Sequence, residues 1–129
     1  MRISIPEATE ILTQAMRKLG HAEADLHPIV DHLMDCALRG LAYGGMARAV
    51  AITERIGRLG MPKEPITVTN ETPVSAKVNG ADHIGYIVGQ RATDLAIEKA
   101  SAMGLAAIAL DNTYYTGMLS YYAEHAGVI

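Results

Sequence analysis

The sequence has no phenylalanine, no tryptophan and a single cysteine, Cys36. One cysteine excludes an internal disulfide and points to a reducing compartment. Positive charge is scarce: Lys+Arg is 11 against Asp+Glu 14, for a net charge of −3. There is no basic surplus to neutralise phosphates, so nucleic acid is not an expected partner. Long apolar runs are missing as well. The longest, Leu105 to Leu110, falls far short of the ~20 residues needed to cross a bilayer. Glu7 and Glu10 interrupt any secretory run at the N-terminus. The expectation is therefore a cytoplasmic protein with no membrane partner. With 50% apolar and 19% charged residues over 129 positions, the composition excludes disorder and suits one domain with its own core.

What is present divides by period. Ser4-Ile5-Pro6-Glu7 has the form of a capping box. Ala8, Ile11, Leu12, Ala15, Met16 and Leu19 then recur at helical spacing up to Gly20. A second helix carries Leu26, Ile29, Val30, Leu33, Met34, Ala37 and Leu38, with Pro28 in its first turns, and ends at Gly40. A third is predicted over Met46 to Leu59, burying Ala47, Val50, Ala51 and Ile56. Residues 1–60 thus read as a three-helix unit. Beyond it, Ile66-Thr67-Val68-Thr69-Asn70 alternates as a strand does. Val74 to Val78 reads as its antiparallel partner, ending at Asn79-Gly80. A helix follows from Ile87 to Met103, then a wholly apolar strand, Leu105 to Leu110, of the kind buried on both faces. The loop Asp111 to Gly117 and a helix from Met118 to Ala126 complete the pattern, and Gly127-Val128-Ile129 resembles a cap followed by the start of another strand. The fold class is α+β: a helical unit (1–60), then a mixed α/β segment with a small sheet (61–129), expected to form one compact unit.

Two loops carry chemistry-bearing residues. In Arg39-Gly40-Leu41-Ala42-Tyr43-Gly44-Gly45, glycines at a helix junction permit close backbone approach. Arg48 follows in the first turn of the next helix, where its planar fork suits a carboxylate or phosphate. A surface salt bridge accounts for Arg48 equally. Asp111-Asn112-Thr113-Tyr114-Tyr115-Thr116-Gly117 follows a strand and precedes a helix, the place where ligands collect in α/β folds. It also reads as a polar loop with a tyrosine-packed interface. His32 and Cys36 stand four apart on one helix, but no second pair completes a tetrahedral site, so no metal centre is expected. No P-loop and no Gly-x-Gly-x-x-Gly fingerprint is present, so a Rossmann site is not supported.

Taken in order, several pieces resemble one family. They are the capped first helix, Leu38-Arg39-Gly40, Gly45-x-x-Arg48, the Glu71-Thr72-Pro73 turn, Val78-Asn79-Gly80, Ala96-Ile97-Glu98-Lys99-Ala100 and Tyr121-Tyr122-Ala123. Together they resemble the N-terminal part of the malate/L-lactate dehydrogenases whose nicotinamide-binding fold is not Rossmann. The resemblance implies an NAD- or NADP-dependent oxidoreductase acting on a 2-hydroxy, 2-keto or imino acid. It implies a homodimer, or association with a missing C-terminal region. It also implies that residues 61–129 begin the cofactor-binding region and that the chain is incomplete relative to the family fold. On the same basis Arg48 holds the substrate carboxylate with Tyr43 and Gly44 beside it, while Asn112, Thr113, Gly117 and Tyr121 face the cofactor. Two departures stand out. A catalytic family histidine falls on Gly44, and a second histidine falls on Tyr115. Tyr115 is then the remaining candidate proton donor. The alternative is a catalytically degenerate or truncated paralogue serving as a dimerisation or ligand-binding module.

Overall fold

A computed structural model describes residues 2–127, so the strand expected to begin at Val128-Ile129 lies outside the described residues. The chain divides into two units, Met1–Met61 and Pro62–Ile129.

The first unit is three helices: α1 (Ile5–Leu19), α2 (Glu23–Leu38) and α3 (Met46–Leu59). α1 starts where the capping box places it. Ser4 Oγ accepts from the Glu7 amide at 3.3 Å, and the Ser4 amide donates to Glu7 Oε2 at 2.9 Å. The Ser4 hydroxyl also donates to Glu7 Oε2 at 2.7 Å, and this bond, with the one from the Ser4 amide, holds the Glu7 carboxyl below the usual range. Gly20 closes the helix at φ 102°, the left-handed cap that glycine adopts without strain. Ala8, Leu12 and Met16 of α1 are buried, as are Leu26, Ile29, Val30 and Leu33 of α2, while α3 buries Ile52 and Ile56. The expected Val50 instead points to solvent. α2 begins at Glu23, so Pro28 stands past the first turn, where its missing N–H forgoes an intrahelical bond.

The second unit holds β1 (Thr67–Thr69), β2 (Ser75–Ile84), α4 (Gly85–Met103), β3 (Ala107–Tyr114) and α5 (Leu119–Gly127). The sheet order is β1-β2-β3, with β1 antiparallel and β3 parallel to β2. The β1–β2 turn is built by Thr72, whose Oγ1 accepts from the amides of Val74 and Ser75. Lys99 of α4 ties that turn down, donating to Glu71 Oε1 and the Thr72 carbonyl, each at 2.8 Å. Val78, Val88 and Ala92 form a core cluster with Ile66, Leu95, Ile108 and Leu110 packed on it.

Two expectations fail here. Asn79-Gly80 does not end β2. The strand runs on to Ile84 through an irregularity between Asn79 and His83. The apolar run does not define β3 either. The strand takes up Asp111 to Tyr114, which the polar sequence suggested as loop, because those residues pair with β2: Asn79 with Asp111, His83 with Thr113. Nor is β3 buried on both faces. Ala107 and Ala109 are exposed, while Ile108 and Leu110 pack on the core cluster. β3 is an edge strand among the described residues.

Candidate functional site

The candidate residues divide between the two units. In the first, the turn between α2 and α3 lies tight against α2. Gly44 and Gly45 amides both donate to the Leu41 carbonyl, and the Leu41 amide donates to Cys36 O. A Cβ on Gly45 would stand 2.8 Å from Ala37 Cβ, and one on Gly44 would stand 3.3 Å from Cys36 Sγ. Proximity therefore requires glycine at 45, while a side chain at 44 would make Cys36 give by a few tenths of an ångström. The turn separates the two residues expected beside the substrate: Tyr43 is 72% exposed, while Gly44 is buried on Cys36. Arg48 occupies the first turn of α3, half-buried, with its amide donating to Gly45 O. His32, on α2, is fully buried. Desolvation drives its pKa down to about 4 against the opposing pull of Asp35 and Asp31. Among the described residues no three His, Cys, Asp or Glu side chains converge as metal ligands.

In the second unit the end of β3 is bound closely to β2 and α4. Asn112 Nδ2 donates to Asn79 Oδ1 at 3.0 Å, and the same oxygen accepts from the Ala81 amide at 2.9 Å. Thr113 Oγ1 donates to the His83 carbonyl at 2.7 Å. Lys77 and Asp111 form an ion pair at 2.6 Å. Past the strand, Tyr115 takes φ 51°, unusual for a bulky residue. Its ring meets Tyr114 edge-on at 5.2 Å. Gly117 is also left-handed, at φ 75°.

Two clefts flank this segment. A polar one of about 430 Å³ is lined by Glu64, Thr67, Asn79, Ala81, Asp82 and Asn112. An apolar one of about 340 Å³ lies between α4, β3 and α5, with Ala92, Ile108, Leu110, Thr116 and Tyr122 in its wall. Asn112 gives one of its two amide hydrogens, and Thr113 its hydroxyl hydrogen, to partners inside the protein. The polar cleft is lined by Glu64 and Asp82 with no lysine or arginine, and this lining does not fit the phosphates of a dinucleotide, which need positive charge.

Sequence reasoning gave no role to Tyr122, Gly85 or Gly89. The Tyr122 hydroxyl donates to Thr116 O at 2.7 Å, with Gly85 O at 3.2 Å as a second acceptor. A Cβ on Gly85 would meet Thr116 Cα at 2.7 Å, and one on Gly89 would meet the Tyr122 ring at 2.7 Å. The four-residue spacing of the two glycines puts them on one helix face, but the sequence does not show what packs on that face.

A helical unit followed by a small mixed sheet matches a known architecture. The profile of the malate/L-lactate dehydrogenase family matches residues 3–127. The chain belongs to that family. It is 32% identical over 124 residues to malate dehydrogenase of Pyrococcus abyssi, covering 95% of this chain and 34% of that one. It is 29% identical over 119 residues to L-sulfolactate dehydrogenase of Methanocaldococcus jannaschii, covering 91% and 34%. The structure of malate dehydrogenase from Pyrococcus horikoshii superposes with a TM-score of 0.91 at 29% identity, over 97% of this chain and 36% of that one. The chain thus spans about a third of the length of these relatives. Its α+β fold is incomplete relative to theirs. No helix among the described residues is long and apolar enough to cross a membrane.

Proposed function

We propose that this chain forms the substrate side of an oxidoreductase that moves a hydride between a nicotinamide dinucleotide, NAD or NADP, and C2 of a 2-hydroxy, 2-keto or imino acid. The match to the dehydrogenase family over residues 3–127 carries the reading. Arg48 holds the substrate carboxylate through its bidentate fork. Tyr115, which stands where the family carries another histidine, is the candidate proton donor. General acid–base help supplies ~10²–10⁴-fold, so with neither family histidine present turnover is slow rather than absent. The phosphates of the cofactor find their partners outside the polar cleft, whose carboxylates repel them. The protein works in the cytoplasm and self-associates, or joins the remaining two-thirds of the family fold, through the open side of β3.

One observation favours a second reading, a non-catalytic ligand-binding or dimerisation module. Gly44 lies buried on Cys36 and offers no acid or base. Titration with NADH and with NADPH, followed by nicotinamide fluorescence, separates the two. Binding that pyruvate strengthens supports the dehydrogenase, and a flat response to both nucleotides supports the module. Where pyruvate binds, Arg48→Lys keeps the charge, loses the fork, and weakens binding in calorimetry by about 1–3 kcal/mol. Unchanged affinity returns Arg48 to a surface role.

A further inference from the structure

We infer that Tyr122 is a positioning residue for Tyr115, holding the backbone that carries it in a conformation it would not otherwise keep. The inference rests on the role proposed for Tyr115 and says what sets it. Tyr115 lies at φ 51°. For an L residue with a large side chain the left-handed region is unfavourable, and it persists only where the surroundings enforce it. Two attachments bracket the residue. On its N-terminal side Thr113 Oγ1 is fastened to the His83 carbonyl at 2.7 Å. On its C-terminal side the Thr116 carbonyl is fastened by the Tyr122 hydroxyl at 2.7 Å.

The second attachment is itself seated. The Tyr122 ring fits over Gly89, where no side chain could stand, and its hydroxyl also reaches the Gly85 carbonyl at 3.2 Å. Gly85 in turn lets the backbone of Tyr115 and Thr116 press onto the start of α4: a Cβ there would lie 2.9 Å from Tyr115 O and 2.7 Å from Thr116 Cα. α4 thus offers a two-glycine recess, one glycine for the strained backbone and one for the ring that fastens it. Tyr121, next in sequence, meets the Tyr122 ring edge-on at 5.7 Å.

The test uses the full chain with ¹³C-labelled tyrosine, Tyr115 being assigned through Tyr115→Phe. In the unaltered chain its ¹³Cα and ¹³Cβ shifts report the left-handed conformation, and its ring signals carry the edge-on contact with Tyr114. Tyr122→Phe keeps the ring and removes only the hydroxyl, and both signatures are expected to be lost. Gly89→Ala, which displaces the ring from the opposite side, is expected to give the same loss. Lys99→Met cuts a different tie on α4, the one to Glu71 and Thr72, and is expected to lower the melting temperature with both signatures intact. Retention of the signatures in Tyr122→Phe overturns the inference. So does their loss in Lys99→Met, which would mean that any weakening of the unit releases Tyr115. Titration of the unaltered chain with NADH decides the functional reading separately, since the resonance measurement needs no bound nucleotide.

Discussion

Replacing Gly89 by alanine pits two opposing effects against each other. In an open helix interior, glycine to alanine is favourable by about 1 kcal/mol, from backbone entropy and intrinsic propensity. At Gly89 the added methyl would lie 2.7, 2.8 and 2.9 Å from Tyr122 Cζ, Cε1 and Oη. The ring must move. Overpacking costs about 1–3 kcal/mol, and displacing the hydroxyl from Thr116 and Gly85 forfeits about 0.5–1.5 kcal/mol more. The net expectation is destabilisation by roughly 1–3 kcal/mol after the propensity gain. Urea unfolding followed by tyrosine fluorescence suits the measurement, because five of the six tyrosines lie in the second unit and there is no tryptophan to obscure them. The decisive comparison uses the Tyr122→Ala background. With the ring gone, Gly89→Ala should change sign and stabilise by about 0.5–1 kcal/mol. A raised urea midpoint for Gly89→Ala in the unaltered chain would refute the close-approach account, as would an equal loss in both backgrounds.

Other outcomes follow from the same geometry. Gly57, inside α3, has open space where a Cβ would go, so Gly57→Ala should stabilise by about 0.5–1 kcal/mol in a helix-reporting melt. His32 is held neutral, with its pKa down to about 4 from 6.5, so the unfolded chain takes up its proton first as the pH falls. Stability is then complete above pH 6.5 and declines toward pH 4, by about 3 kcal/mol for a shift of this size. His32→Phe should flatten that decline in urea midpoints compared at pH 7 and pH 4.5. Restoring an imidazole by Gly44→His should lower the melting temperature, because the new Cβ crowds Cys36 Sγ at 3.3 Å, and adding Cys36→Ala should recover much of the loss.

Local grammar made the helices legible. The capping box, the glycines at 20, 60 and 104, and the 3.6-residue spacing of Leu12 and Met16 all act within a turn or two of chain. The face of α3 was harder, since Val50 and Ile52 are both apolar, and only packing against other helices buries Ile52 rather than Val50. The extent of β2 and β3 was illegible for a different reason. Asn79-Gly80 has the composition of a turn, and Asp111 to Tyr114 that of a loop, but each becomes strand by hydrogen bonding to the other across some thirty residues of sequence. The candidate site divides likewise. Arg48 and the 111–117 segment could be singled out from residue types and resemblance. The glycine recess under Tyr122 could not, because a glycine inside a helix announces nothing until its neighbour is known.

The irregularity in β2 has a consequence for phase. From Asn79 to His83 the strand advances four residues while β3, from Asp111 to Thr113, advances two. The surplus is even. In a structure whose side chains alternate with period two, an even surplus returns the strand to the same face and an odd one reverses it. Val78 before the interruption and Ile84 after it are accordingly both buried. Ala81 and Asp82 absorb the extra length at φ 48° and 61°, bowing out beside Asn112 into the wall of the polar cleft. The detour is therefore a removable parenthesis in the sheet. Chains of this fold can lose both residues, or gain another pair, and reshape the cleft while the apolar side keeps its order, but a change of one would turn Ile84 toward water.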